Sequence, residues 1–102
     1  MLFHITATHT SANCPAYHRE RMPEVIAAIE NFENRAKELN VKVHSLLSGA
    51  PEHVTFLVLE ADSSAAMAQL TTSLPFEQDF TVTPVVPEQE LTAMAKAMMA
   101  QR

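Results

Sequence analysis

The segment Val41–Glu60, VKVHSLLSGAPEHVTFLVLE, decides the fold. Two apolar-rich runs of strand length, Val41–Leu47 and His53–Glu60, flank Ser48–Glu52, which holds the only glycine, Gly49, together with Pro51. Gly and Pro break regular structure where the backbone must reverse, so the segment predicts two strands joined by a turn. A hairpin in the middle of a 102-residue chain leaves room for a strand and a helix before it and a helix and a strand after it.

The flanks supply those elements. Leu2–Thr8 alternates apolar Phe3, Ile5 and Ala7 with polar His4, Thr6 and Thr8, the period-2 pattern of a half-buried strand. After a loop, His9–Arg19, the residues Met22, Val25, Ile29, Phe32, Ala36 and Leu39 recur at steps of three and four. This stripe predicts one helix, with Pro23 in its first turn and Asn40 as its stop. Downstream of the hairpin, Asp62 or Ser63 caps a second helix with the stripe Ala66, Met67, Leu70 and Leu74, closed by Pro75. Phe80–Val85 reads as a fourth strand. Pro87 opens a last helix with Leu91, Met94, Ala95 and Met98 on one face, Glu88 and Glu90 near its start, and Lys96 and Arg102 toward its end, as the helix dipole prefers. The expected class is therefore α+β, a single domain over 1–102 with the ferredoxin-like order β-α-β-β-α-β, a four-stranded antiparallel sheet and an extra C-terminal helix.

Composition excludes several function classes. A net charge of −5 with seven Lys plus Arg gives no clustered cations to follow a phosphate backbone, so nucleic acid is not an expected partner. No stretch reaches the roughly 20 apolar residues of a membrane-spanning helix, and no membrane partner is expected. One cysteine forms no internal disulfide, and MLFHITATHT lacks the basic flank and long apolar stretch of a signal peptide. Both features point to a reducing cytoplasm.

The chemistry-bearing residues concentrate in the first half, which holds His4, His9, Cys14, His18 and His44. If Phe3, Ile5 and Ala7 face the helices, then His4, Thr6 and Thr8 point to the open face of the sheet. The same alternation places Val43, Ser45 and Leu47 on the helix side and Lys42, His44 and Leu46 on the open side. In the usual strand order 4-1-3-2 one strand separates His4 from His44, about 10 Å apart, as two walls of a pocket more than ligands of one ion. His4, Thr6, Thr8 and His44 are thus the candidate ligand- or cofactor-binding residues. In the loop run HTSANCPAYH, the spacing of His9, Cys14 and His18 lets three donors converge on a transition metal, and His4 is a further candidate ligand. No Cys-x-x-Cys or His-Glu-x-x-His pattern accompanies them. Alternatively Cys14, followed by Pro15 at the mouth of a helix, is a nucleophile with His18 as its base. His4, Cys14 and His18 are accordingly the candidate catalytic residues. His53, beside the turn, is expected to be solvated, and Tyr17 to be half-buried under the first helix.

In length and element order, over nearly its whole length, the chain resembles the dimeric α/β barrel superfamily, in which two such sheets pack face to face around a cavity. The resemblance implies a homodimer with a small-molecule ligand. It also brings three functional expectations: a small ligand, metal or haem-like cofactor bound through histidine, with oxidative chemistry; a cofactorless monooxygenase of the antibiotic-biosynthesis kind; or a non-enzymatic stress or assembly protein. Haem requires only one imidazole at the pocket wall. The monooxygenase pocket's Asn and Trp do not carry over, because the chain has no Trp and its asparagines, Asn13, Asn31, Asn34 and Asn40, lie outside the expected strands.

Overall fold

A computed structural model describes residues 1–101. Its strands are β1 (Leu2–Thr8), β2 (Lys42–Ser48), β3 (Val54–Glu60) and β4 (Asp79–Val85). The helices are α1 (Met22–Glu30), α2 (Phe32–Glu38), α3 (Ser64–Thr71) and α4 (Glu88–Ala100). The strands form one antiparallel sheet in the order β2-β3-β1-β4, which is the ferredoxin-like order. Helices cover one face of it. Phe3, Ile5, Leu57 and Leu59 point from the central strands into a core shared with Phe32, Ala36, Met67 and Leu70.

Three local differences from the sequence reading matter. The expected single helix over Met22–Leu39 is two helices that meet at Asn31 (φ −89°, ψ 0°), whose N–H turns toward the carbonyls of both Ala27 and Ile29. Asn competes for backbone hydrogen bonds and so suits such a junction. The break lets Phe32 and Ala36 reach the core while Ile29 stays half exposed. Asn40 ends α2 in the left-handed region at φ 57°, as a helix stop does.

The second difference is a β-bulge in β2 between Val43 and Ser45. One extra residue reverses the phase of everything after it. Val43 remains opposite Leu59 on the helix side, but Ser45 and Leu47 fall opposite Val58 and Phe56 on the open side, and Leu46 falls opposite Leu57 on the helix side. The expected faces of Ser45, Leu46 and Leu47 are therefore corrected. His44 occupies the bulge itself.

The third is α4, in which no residue is buried. Its apolar face, with Leu91, Met94 and Met98, is open to solvent. At about 1.5 Å per residue α4 adds roughly 20 Å to a body with seven-residue strands, which accounts for much of the molecule's 63 Å length. No helix among the described residues is long and apolar enough to cross a membrane.

Candidate functional site

β1 and β3 pair up to Thr8 opposite Val54, and the ladder continues one step beyond the strands, because the His9 N–H donates to the His53 carbonyl at 3.2 Å. His9 and His53 are thus cross-strand neighbours at the end of the sheet, where side chains of opposed residues meet. His53 holds φ 59°, an uncommon left-handed conformation for a non-glycine residue. It closes a tight turn in which Gly49 N–H donates to the Val54 carbonyl and Glu52 N–H to the Gly49 carbonyl, both at 2.8 Å, and in which the Ala50–Pro51 bond is cis. The glycine is required by space: a Cβ there would lie 2.8 Å from Cγ1 of Val54.

The third member comes from the loop after β1. Two short 3-10 turns, Ser11–Asn13 and Pro15–Tyr17, meet at Cys14, whose N–H donates to the Ser11 carbonyl and whose carbonyl accepts from Tyr17 N–H. This double anchorage turns the thiol inward, where the residue is buried. One donor atom from each of His9, Cys14 and His53 lies within 4.8 Å of the others. His53 Nδ1 stands 3.3 Å from His9 Nε2, and the other nitrogen of His53 faces the Ser11 hydroxyl at 3.5 Å. His9 also packs edge-on against Phe76, with ring centroids 5.3 Å apart.

The electrostatics of the cluster follow from this enclosure. Burial, and secondarily the facing His53 imidazole, holds His9 below the ordinary histidine range. Its Nδ1 is buried with no hydrogen-bond partner among the described residues. Leaving such an atom unpaired costs about 1–3 kcal/mol, so it requires a reason.

The other candidate residues go elsewhere. His18 turns away from the cluster: Nε2 is hydrogen-bonded to the Ala12 carbonyl at 2.6 Å, and Nδ1 is 3.6 Å from Glu20. The α-helix begins only at Met22, so Cys14 precedes a three-residue turn and not a helix N-terminus with its dipole. Tyr17 is 67% exposed and leans toward His53, in contrast to its expected place under α1. His53 is not solvated as expected but is partly buried against His9. On the open face, His4 lies opposite Val58 and Thr83, and Thr6 opposite Phe56 and Thr81. Thr8, at the end of β1, is exposed. His44 donates from Nε2 to Glu60 at 2.8 Å, and this bond, more than any other influence, holds the Glu60 carboxyl below its usual range.

A second feature lies behind the cluster. Between sheet and helices is a cavity of about 90 Å³ lined mainly by Ala7, Ile29, Phe32, Leu46, Leu57, Leu74, Phe76 and Phe80, with Ser48, Thr55, Thr71 and Gln78 as its polar groups. Ser48 and Thr55 also line the groove that contains His9, Cys14 and His53, and Phe76 touches both cavity and His9. The sequence carried a signal for His53 in the hairpin: strand pairing that closes at Ser48–Glu52 must return the residue before β3 to the end of β1.

The chain belongs to the DUF3303 family, a domain of unknown function, whose family model matches residues 1–99. No curated protein matches it.

Proposed function

Since the family carries no assigned activity, we propose from the geometry that this chain is a homodimeric small-molecule-binding domain whose pocket is the cavity between sheet and helices. The observation that carries this reading is an apolar cavity with a few convergent polar groups, the usual make-up of a small-ligand site. Its walls select a compact apolar body, and Ser48, Thr55 and Gln78 select a single hydroxyl or amide on it. The site lies on the opposite side of the sheet from His4. A porphyrin is far too large for about 90 Å³ and, among the described residues, the cavity lining holds no histidine, so this pocket is not the haem site that the sequence reading expects on the open face.

Dimerisation is supported by what one chain leaves uncovered. Leu47 and Phe56 are exposed on the open sheet face, and Leu91, Met94 and Met98 are exposed on α4. A 13-residue helix is marginal in water without packing. In the proposed dimer a second copy packs on the open sheet face and α4 packs on that copy. Sedimentation of the full chain is expected to give a dimer, and Phe56→Glu to give a folded monomer; a monomeric full chain at micromolar concentration would defeat this part of the reading.

Benzyl alcohol, an aromatic ring with one hydroxyl, is the probe for the pocket. Methyl NMR signals of Ile29, Leu46 and Leu57 are expected to shift on its addition while those of Leu47 and Val58 on the open face stay still. Leu46→Trp, at a partly exposed edge position that accepts a larger ring, is expected to fill the cavity and abolish the shifts. Shifts confined to Leu47 and Val58 would return the site to the open face.

A further inference from the structure

We infer that His9, Cys14 and His53 form a three-ligand site for a soft or borderline transition-metal ion, distinct from the apolar pocket. The donors are two imidazoles and one thiol, a set suited to zinc, cuprous copper or cobalt and unsuited to magnesium or calcium, which require oxygen. Their spacing agrees. For a metal–nitrogen distance of about 2.0–2.1 Å, the tetrahedral edge between two nitrogens is about 3.3–3.4 Å, and His9 Nε2 and His53 Nδ1 are 3.3 Å apart. The three donor atoms gather within 4.8 Å, so small side-chain adjustments bring the sulfur to its coordination distance.

Three further observations favour an ion over a chance meeting of side chains. The two histidines are held by the backbone, through the His9–His53 step of the ladder, and Cys14 by a hydrogen bond on each side of it. The remote Nε2 of His53 faces the Ser11 hydroxyl, an outer partner of the kind that orients metal-bound imidazoles. On His9 the nitrogen that faces the site, Nε2, meets only another imidazole among the described residues, so its lone pair is not committed to a partner elsewhere, while the remote Nδ1 is buried with no partner among those residues. Among the described residues the groove holds no Lys, Arg, Asp or Glu, so none of them competes with the ion or completes the set. Three ligands leave a fourth position open toward the groove beside Tyr17 and Thr55. Binding requires the thiol to lose its proton, which passes to solvent, and no oxidant or reductant is involved.

The test is titration of metal-free, reduced full-length protein with cobalt(II), followed by competition with zinc(II). A thiolate-to-cobalt charge-transfer band and the strong visible bands of four-coordinate cobalt are expected at one equivalent, both displaced by zinc. Cys14→Ser should remove the charge-transfer band. Cys14→Ser and His9→Gln should each weaken zinc by at least about 100-fold, and Ser11→Ala by about tenfold, the scale of an outer partner. His4→Ala and His44→Ala should change nothing. Far-ultraviolet circular dichroism checks that each variant is folded. A folded wild-type protein that shows no charge-transfer band, or zinc affinity unchanged by Cys14→Ser, overturns the site. Benzyl alcohol binding is unaffected by either outcome, so the two readings fail separately.

Discussion

The open face of the sheet carries two histidines and its loop end three, yet only the loop end brings a pair of them together. On the open face, β3 lies between His4 on β1 and His44 on β2, and each imidazole finds separate company: His4 tilts toward Phe56, and His44 binds Glu60. At the loop end, His9 and His53 follow one strand and precede its direct neighbour, so a single extra ladder step sets them 3.3 Å apart. A sheet keeps residues on a common face at fixed spacings of about 4.8 Å per strand. Convergence of several donors requires loops that fold back, as Ser11–Tyr17 does to deliver Cys14.

The largest test of this contrast sets the buried side of β3 against its open side. Leu59 is wholly buried and packs in the core, so Leu59→Ala is expected to cost about 2–5 kcal/mol. Its neighbour Val58 points to the open face, and Val58→Ala is expected to cost under about 1 kcal/mol in a chain kept monomeric by Phe56→Glu. Urea unfolding monitored by circular dichroism measures both. Equal losses would mean that the open face is packed within one chain.

Next in size is Gly49→Ala. The added methyl would lie 2.8 Å from Val54, a β-branched side chain with little freedom, and relief must come from the turn that presents His53. A loss of about 1–3 kcal/mol is expected, as for other overpacked sites, along with weaker cobalt binding and no change at the open face. Tight cobalt binding in this variant would show that the turn does not position His53.

What could be read from the sequence divides along the same line. Alternation in Leu2–Thr8 places Phe3, Ile5 and Ala7 in the core and leaves His4 and Thr6 opposite them, and the Gly49–Pro51 turn fixes the central hairpin. The β2 phase after Val43 was not legible, because a bulge adds one residue without a local sequence mark. The break at Asn31 was obscured by apolar spacing that runs on through Ile29 and Phe32. At the loop end, His9 and Cys14 were identifiable as candidates from their residue types, but His53 lies 39 positions beyond Cys14 and becomes their neighbour only through strand pairing. His18, closer in sequence, is turned aside by its bond to the Ala12 carbonyl.

Acid distinguishes the two regions by where each loses stability. His9 is held below the ordinary histidine value of 6.5, so the unfolded chain takes up its proton first as pH falls through that value. Metal-free protein is therefore most stable above about pH 6.5 with respect to this group and loses stability below it, until the folded state also protonates. His9→Gln, a neutral side chain of similar reach, is expected to flatten the thermal midpoint over this interval. A midpoint equally steep in His9→Gln and wild type would assign the acid sensitivity to other groups.

The smallest effect belongs to the open face. Glu60 is held below the ordinary glutamate value of 4.5, first by the hydrogen bond from His44, so its contribution is present above that pH and is lost as pH falls through the lower folded value. The pair is exposed, and exposed pairs contribute little because water and salt screen them. His44→Ala is thus expected to lower the midpoint slightly at pH values above 4.5, by an amount that high salt removes, and to leave the acid end unchanged, where wild type has already lost the contribution. The two histidine substitutions are expected to act differently with pH, His9→Gln removing a loss of stability below about 6.5 and His44→Ala removing a small gain above 4.5, and a double variant to show their simple sum. Non-additivity would mean that the loop end and the open face communicate through β3, the strand that carries Glu60 at one end and follows His53 at the other.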